Sequence, residues 1–297
     1  MTAFPALRRA LSAATLSLVF LVPVSGSSLD EAARFYFGGQ PERALERYRA
    51  SFNANPSVEA ALNAATIAEE LGHHRDAATI LDQAKKRHLG GPGLLIQLGW
   101  ARLNLGQYDA ARAAFKEALA GEPNDPLARL GRAITERDAG KLTLAKEKLK
   151  ALITDQPEMS AAHFYLGETL EAAGDVDAAI TAYQNAIKND SHFLEARPRL
   201  AALFEKSNRP DDAWREFVRI SYADESNQLA EAGMGRLASR ITKKPQEIVP
   251  PRRITGPTSI PSVPDAASLP VIRVGIGSDE GGAPSKKQTV SFRTSQP

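Results

Sequence analysis

The histidines are the first side chains to test for chemistry, because His73, His74 and His88 together could ligate a transition metal. His73 and His74 fall where a turn is expected and His88 lies near the far end of the following helix, with no acidic ligand set beside them. A solvated turn, and a helix end whose dipole favours a positive side chain, account for them better than a metal does. His163 occupies a packing position and reads as a core histidine. Lys141, Lys146, Lys148 and Lys150 make a basic run, but Glu147 interrupts it and the spacing is that of a solvated helix face. Neither a nucleophile elbow, a phosphate-cradling glycine loop nor a paired-carboxylate spacing occurs. With 0 Cys, thiolate catalysis, disulfides and zinc-thiolate sites are excluded as well. The sequence therefore predicts a non-enzymatic protein without metal or cofactor, whose function lies in the surface its helices build.

Charge narrows the partners. The formal net charge is +2, from 37 basic and 35 acidic residues, and Arg8 and Arg9 supply the whole excess. A neutral body lacks the surplus of Lys and Arg that phosphate backbones require, so nucleic acid is not an expected partner. Residues 1–26 read as an export signal: Arg8 and Arg9 precede an apolar run over residues 10–22, and Val24, Ser25 and Gly26 offer a small-residue exit. A membrane anchor or a buried helix is the alternative, but the run falls short of the ~18 apolar residues of a spanning helix and Pro23 ends it. Cleavage after Gly26 would leave a periplasmic or secreted protein with no stable membrane insertion.

The elements that must position any binding residues are helical and repeated. Copies of one pattern, about 34 residues long, begin near Ser25, Val58, Pro92, Pro126, Ser160 and Leu194. Each carries a turn residue, Gly39, Gly72, Gly106, Gly140, Gly174 and then Asn208, types that suit a helix end needing positive φ. Beyond each turn comes an alanine (Ala44, Ala77, Ala111, Ala145, Ala179, Ala213), where two helices of a hairpin approach closely. One helical turn later stands a bulky residue, Tyr48, Leu81, Phe115, Leu149, Tyr183 or Phe217, placed to wedge between successive hairpins. Pro56, Pro123 and Pro157 close their repeats, and Pro41 and Pro210 open second helices. Residues 228–242 hold one further helical period without a partner helix, as a cap would, with Met234, Leu237 and Ile241 inward.

In residues 92–125 the set Leu98, Gly99, Gly106, Tyr108, Ala111, Phe115, Ala118 and Pro123 resembles a tetratricopeptide repeat (TPR). The resemblance implies an all-α fold: a right-handed α-solenoid of about six hairpins over residues 27–243, with a capping helix. It also implies that first helices line a concave groove that holds a peptide or protein segment, with the second, fifth, ninth and twelfth residues of each copy facing it. On that register the groove candidates are Ile96, Trp100 and Leu103, then Leu127, Leu130 and Ile134, then Phe164, Glu168 and Glu171. This is an apolar stripe with an acidic border, extended by Glu59, Glu69, Glu70, Glu195 and Glu205, and it calls for an apolar partner with basic flanks.

Two registers fit the fourth copy. One leaves Leu127, Leu130 and Ile134 in the groove and puts Arg129, Arg132 and Glu136 at packing positions; the other slides or turns the helix and buries the three apolar residues. Trp100 is left over for the groove in the third copy, since Leu98 and Gly99 already fill the packing positions. The carboxylate clamp of chaperone-binding relatives is not expected, because Leu62, Thr66, Ile96, Trp100, Leu130 and Ile134 stand where it uses lysines and asparagines.

Residues 244–269 are rich in Pro, Ser and Thr and read as a disordered, extended linker. Two strand-like stretches follow at 271–277 and 288–294, a short β segment over residues 270–297 that is marginal on its own. Val271, Ile272, Arg273, Val274, Gly275 and Ile276, with Val290, Ser291 and Phe292, resemble the opening of a sporulation stage II protein D (LytB amidase-enhancer) domain. That likeness implies cell-wall association and an alternative role: the N-terminal targeting part of a peptidoglycan-remodelling protein whose catalytic domain lies beyond this chain.

Overall fold

The computed structural model describes residues 27–191 and 193–249. Residues 1–26, read as an export signal, most of the Pro-rich stretch and the two strand-like stretches lie outside the described residues. Fourteen helices follow one another among the described residues: α1 (Ser27–Phe37), α2 (Pro41–Ala54), α3 (Val58–Glu70), α4 (His74–Lys86), α5 (Pro92–Asn104), α6 (Tyr108–Gly121), α7 (Pro126–Asp138), α8 (Leu142–Asp155), α9 (Ser160–Ala172), α10 (Val176–Asn189), α11 (Ala196–Lys206), α12 (Pro210–Ala223), α13 (Gln228–Leu237) and α14 (Pro245–Ile248). The first twelve pair into six consecutive antiparallel hairpins, each stacked on the next, and α13 covers the last. Over the described residues the chain is the all-α solenoid that its repeat pattern predicts.

The six hairpin turns are built alike. Each turn residue adopts positive φ, from +53° at Asn208 to +81° at Gly174. In the turn after α3, His73 N–H reaches back to the Ala68 carbonyl at 2.7 Å and Gly72 N–H to Glu69 at 2.9 Å. The same two bonds recur at Gln40 and Gly39, Gln107 and Gly106, Lys141 and Gly140, Asp175 and Gly174, and Arg209 and Asn208. This double closure satisfies the last carbonyls of each first helix and sets the direction in which the second helix leaves. Ser57, Asp125, Asp175 and Asn227 cap the helices that follow them by accepting a backbone N–H two residues into the first turn.

The close-approach alanines and the wedge residues are all buried, as their spacing requires. Phe115 shows why small residues are needed around them. A Cβ at Gly99 of its own repeat would sit 2.6 Å from the ring, and one at Gly131 of the next repeat 2.3 Å from it. The hairpin of repeat three faces two ways: Leu94, Leu98, Ala101 and Ala114 pack with repeats one and two, while Ile96, Trp100, Leu103 and Phe115 pack with repeats four to six. At the C-terminal end Leu237 is buried, and Met234 and Ile241 pack partly buried beside it. The first residues of the stretch read as linker instead form α14, whose Ile248 is buried and accepts a hydrogen bond from Arg215 Nε at 3.4 Å.

Candidate binding surface along the first helices

First helices of successive repeats lie beside one another, and their side chains meet across the gap in a polar ladder. Gln97 on α5 donates to Thr66 Oγ1 on α3 at 2.8 Å, and Asn104 donates to Glu69 Oε2 at 2.6 Å. His74 Nδ1 shares that same Glu69 oxygen at 2.7 Å. Further along, Glu168 on α9 receives Arg137 from α7 on one side and Arg199 from α11 on the other, the latter at 3.0 Å. Arg199 also lies 3.7 Å from Glu171, and Arg236 donates to Glu205 at 3.0 Å. Four of these contacts join residues 31 apart in sequence. That is one repeat less about one helical turn, so each side chain reaches a neighbour nearer the start of the next first helix.

The ladder changes the expected site. Ile96, Trp100, Leu103, Leu130, Ile134 and Phe164 are buried, and Leu127 is partly buried against the same core. The apolar stripe is thus packing between first helices and not an open groove floor. Trp100 is 7% exposed and meets Phe115 edge to face with ring centres 5.7 Å apart. Phe164 is ringed by Tyr165, Tyr183 and Phe193 at 5.3–5.6 Å. The reason is geometric: the first helices of repeats three and four stand close enough to their neighbours that residues five and nine of these copies fill the space between them. Glu168 and Glu171 remain half-buried, but the ladder neutralises them. The acidic border therefore gives no ground for basic flanks on a partner.

Repeat four does not slide. Its first helix starts at Pro126, in step with Pro92 before it and Ser160 after it. Leu130 and Ile134 are buried, as are Ile96 and Trp100 at the same positions of repeat three and Phe164 at the first of them in repeat five. Two of the three charges at its packing positions find partners: Arg129 reaches Asp155 at 2.7 Å, and Glu136 accepts from Arg112 Nε at 2.9 Å and Nη2 at 3.1 Å, whereas Arg132 Nε is buried without one among the described residues. Burial pushes the Glu136 carboxyl upward, but the Arg112 hydrogen bond and charge, helped by Lys141 and Lys148, outweigh it and hold the group below its ordinary range. Tyr183, wholly buried, donates to Glu171 Oε2 at 2.8 Å; burial and then the Glu171 charge raise its pKa.

Gln97, Asn104, Arg137 and Arg199 do not stand out in the repeat pattern, and Thr66 does so only as a clamp position, though complementary types at the 31-residue spacing would have found most of them. Among the ladder residues of repeats two and three, polar atoms are left over. Glu69 Oε1, Gln97 Oε1 and Trp100 Nε1 are buried with no hydrogen-bond partner among the described residues. The histidines take structural parts: His74 braces Glu69, and buried His163 bonds the Pro157 carbonyl through Nε2 at 2.8 Å. No group of three or more His, Asp and Glu side chains among the described residues is placed to hold a metal.

The family model of the tetratricopeptide repeat matches residues 29–92, 96–145 and 130–192. A cellulose synthase operon protein C of Pseudomonas fluorescens (strain SBW25) is 25% identical over 199 residues, 57% of this chain. A protein of the same name from Xanthomonas axonopodis pv. citri (strain 306) is 28% identical over 149 residues, 48% of this chain. The matches span only 15% and 10% of those relatives' own lengths. Among solved structures, the type IV pilus biogenesis factor PilW matches with a TM-score of 0.60 at 18% identity, over 69% of this chain and 96% of its own. A thermophilic TPR protein of Thermus thermophilus matches with a TM-score of 0.50 at 22% identity, over 61% of this chain and 96% of its own.

Proposed function

We propose that this chain, which belongs to the tetratricopeptide repeat family, is a non-enzymatic scaffold that holds a segment of a partner protein along the first helices of repeats two and three. TPR domains are protein-interaction modules, which sets the class of partner. The observation that carries the location is the set of unsatisfied atoms Glu69 Oε1, Gln97 Oε1 and Trp100 Nε1. A buried polar atom without a partner costs about 1–3 kcal/mol, so a site holding three of them is stabilised by any ligand that completes their bonds. An extended polypeptide offers N–H and C=O groups about every 3.3 Å, and so suits a strip of mixed donors and acceptors. Each repeat touches mainly its neighbours, so a small rotation between repeats two and three would free Glu69 Oε1 and Gln97 Oε1 while Trp100 stays packed toward repeats four to six. Repeats four to six are held shut by the Arg137, Glu168 and Arg199 ion pairs.

Export is part of the same reading. Residues 1–26 have the form of a cleaved leader, and no helix among the described residues is long and apolar enough to cross a membrane. The likeness to two cellulose synthase operon proteins supports a setting beside a polysaccharide-synthesising assembly. The test is a selection from a random peptide library on the chain, followed by affinities of the selected peptides for Gln97→Leu and for Lys150→Ala, an exposed control on α8. Gln97→Leu should weaken binding at least tenfold and Lys150→Ala should leave it unchanged. Peptides that bind Gln97→Leu as tightly as the wild type would remove this strip from the site.

A further inference from the structure

One seam of the solenoid is made of different material from the others. The seventh and twenty-third residues of a repeat are Ala64 and Ile80 in repeat two, Leu98 and Ala114 in three, Leu166 and Ala182 in five, and Leu200 and Glu216 in six, each no more than 9% exposed. In repeat three both belong to the core shared with repeats one and two, so this pair of positions faces the preceding hairpin. Repeat four places Arg132 and Lys148 there, both half-buried.

Nothing in the described chain neutralises these two cations directly. The nearby Glu136 is engaged by Arg112 on two nitrogens and by Lys141 at 3.8 Å. Arg129 is matched by Asp155. Among the described residues Arg132 and Lys148 make neither a hydrogen bond nor an ion pair, and Arg132 Nε is buried without a partner. Burial first, and the Arg132 charge second, hold the Lys148 ammonium below its ordinary range, with Glu136 and Glu147 pulling the other way. Like charges half-buried side by side oppose folding. Every other seam avoids that cost with at least one apolar residue in the pair.

We propose that Arg132 and Lys148 form a carboxylate-binding site in the seam between repeats three and four, which receives an Asp or Glu side chain of a docking polypeptide. A guanidinium and an ammonium at paired positions of the two helices of one hairpin supply a fork and a point charge, the donors that a carboxylate accepts with charge-assisted hydrogen bonds. The local charge selects the class of anion. Glu136 and Glu147 are the carboxylates that act on Lys148, and Glu136 is already held by Arg112, so only part of the positive charge of the pair is offset. The partial excess that remains suits a singly charged carboxylate better than a phosphate, which carries about −1.5 to −2 at neutral pH. The site is independent of the ladder atoms in repeats two and three, so failure of the groove reading leaves it standing.

The test compares the wild-type chain with Arg132→Leu/Lys148→Ala, which installs the Leu and Ala that repeat three already uses at these positions. Each is titrated with a Glu-containing hexapeptide blocked at both ends, with its Gln counterpart, and with inorganic phosphate, at constant ionic strength. The wild type should bind the Glu peptide at least fivefold more tightly than the Gln peptide, and the double variant should lose that preference while melting at a higher temperature unliganded. Equal preference in both proteins, or no preference in either, overturns the proposal. A double variant that melts lower than the wild type overturns it too, because the pair would then be stabilising as it stands. Phosphate binding more tightly than the Glu peptide would refute the carboxylate assignment.

Discussion

Gly131→Ala puts the inter-repeat packing to a quantitative test. The added Cβ would lie 2.3 Å from Phe115 Cζ and 2.5 Å from Cε1, against the 3.5–4.0 Å that two carbons prefer. The ring cannot withdraw easily. Gly99 already crowds the same ring, since a Cβ there would lie 2.6 Å from Phe115 Cε1, Trp100 packs on it edge to face, and it is wholly buried. Overfilling a packed core costs about 1–3 kcal/mol, and this contact is tight enough to reach the upper part of that range. Alanine returns up to about 1 kcal/mol through its better helix propensity. The net expectation is a loss of about 1–2 kcal/mol, or roughly 2–8 °C in Tm for an ordered region of this size. Urea unfolding followed by far-UV circular dichroism measures it. Gly121→Ala is the matched control: its Cβ would sit at an ordinary 3.5 Å from Pro92 Cγ, so it should be neutral or stabilising by about 0.4–1 kcal/mol. Phe115→Leu, destabilising alone, should absorb most of the Gly131→Ala penalty in the double variant. A Gly131→Ala protein as stable as the wild type, or strictly additive double-variant energies, would refute the account of Phe115 as the wedge between repeats three and four.

Glu136 should carry an acid-sensitive share of stability. Its folded carboxyl is held below the ordinary 4.5, so its contribution is complete above pH 4.5 and is lost as pH falls through the lowered value. Glu136→Gln should therefore cost about 1.5–3 kcal/mol at pH 7, with the gap to the wild type narrowing below pH 4.5 in parallel melting curves; a pH-independent gap would contradict this. Glu168→Gln leaves Arg137 and Arg199 facing one another and should cost about 1 kcal/mol in dilute buffer. The penalty should shrink in 1 M salt, where charges are screened over about 3 Å, and an unchanged penalty there would mean the ladder acts through shape and not charge.

How much of this was legible depended on how far apart the cooperating residues stand. The positive-φ turns at Gly39 through Asn208 and the alanines one turn beyond follow from the geometry of a single hairpin, which a 34-residue pattern repeats six times. The capping role of Leu237 was legible for the same reason. Whether Ile96, Trp100 and Leu130 are exposed depends instead on the spacing between neighbouring first helices, which no single repeat encodes. The expectation of a greasy groove failed at that level. Repeat four was the hardest copy to place because Arg129 and Glu136 look misplaced until Asp155 and Arg112, on other helices, are brought to them.

The ladder also bears on how such an array can evolve. Hairpins with the same turn and the same core alanine look interchangeable, yet the charges along their first helices are not. A tandem duplication of repeat five would set Glu171 of one copy where Arg137 now meets Glu168, opposing two carboxylates across the new junction. Deleting it would bring Arg137 toward Arg199 with the intervening carboxylate gone. Recombination that preserves every helix and every turn would still be marked at this strip, which in effect records the order of the repeats and resists a change in their number.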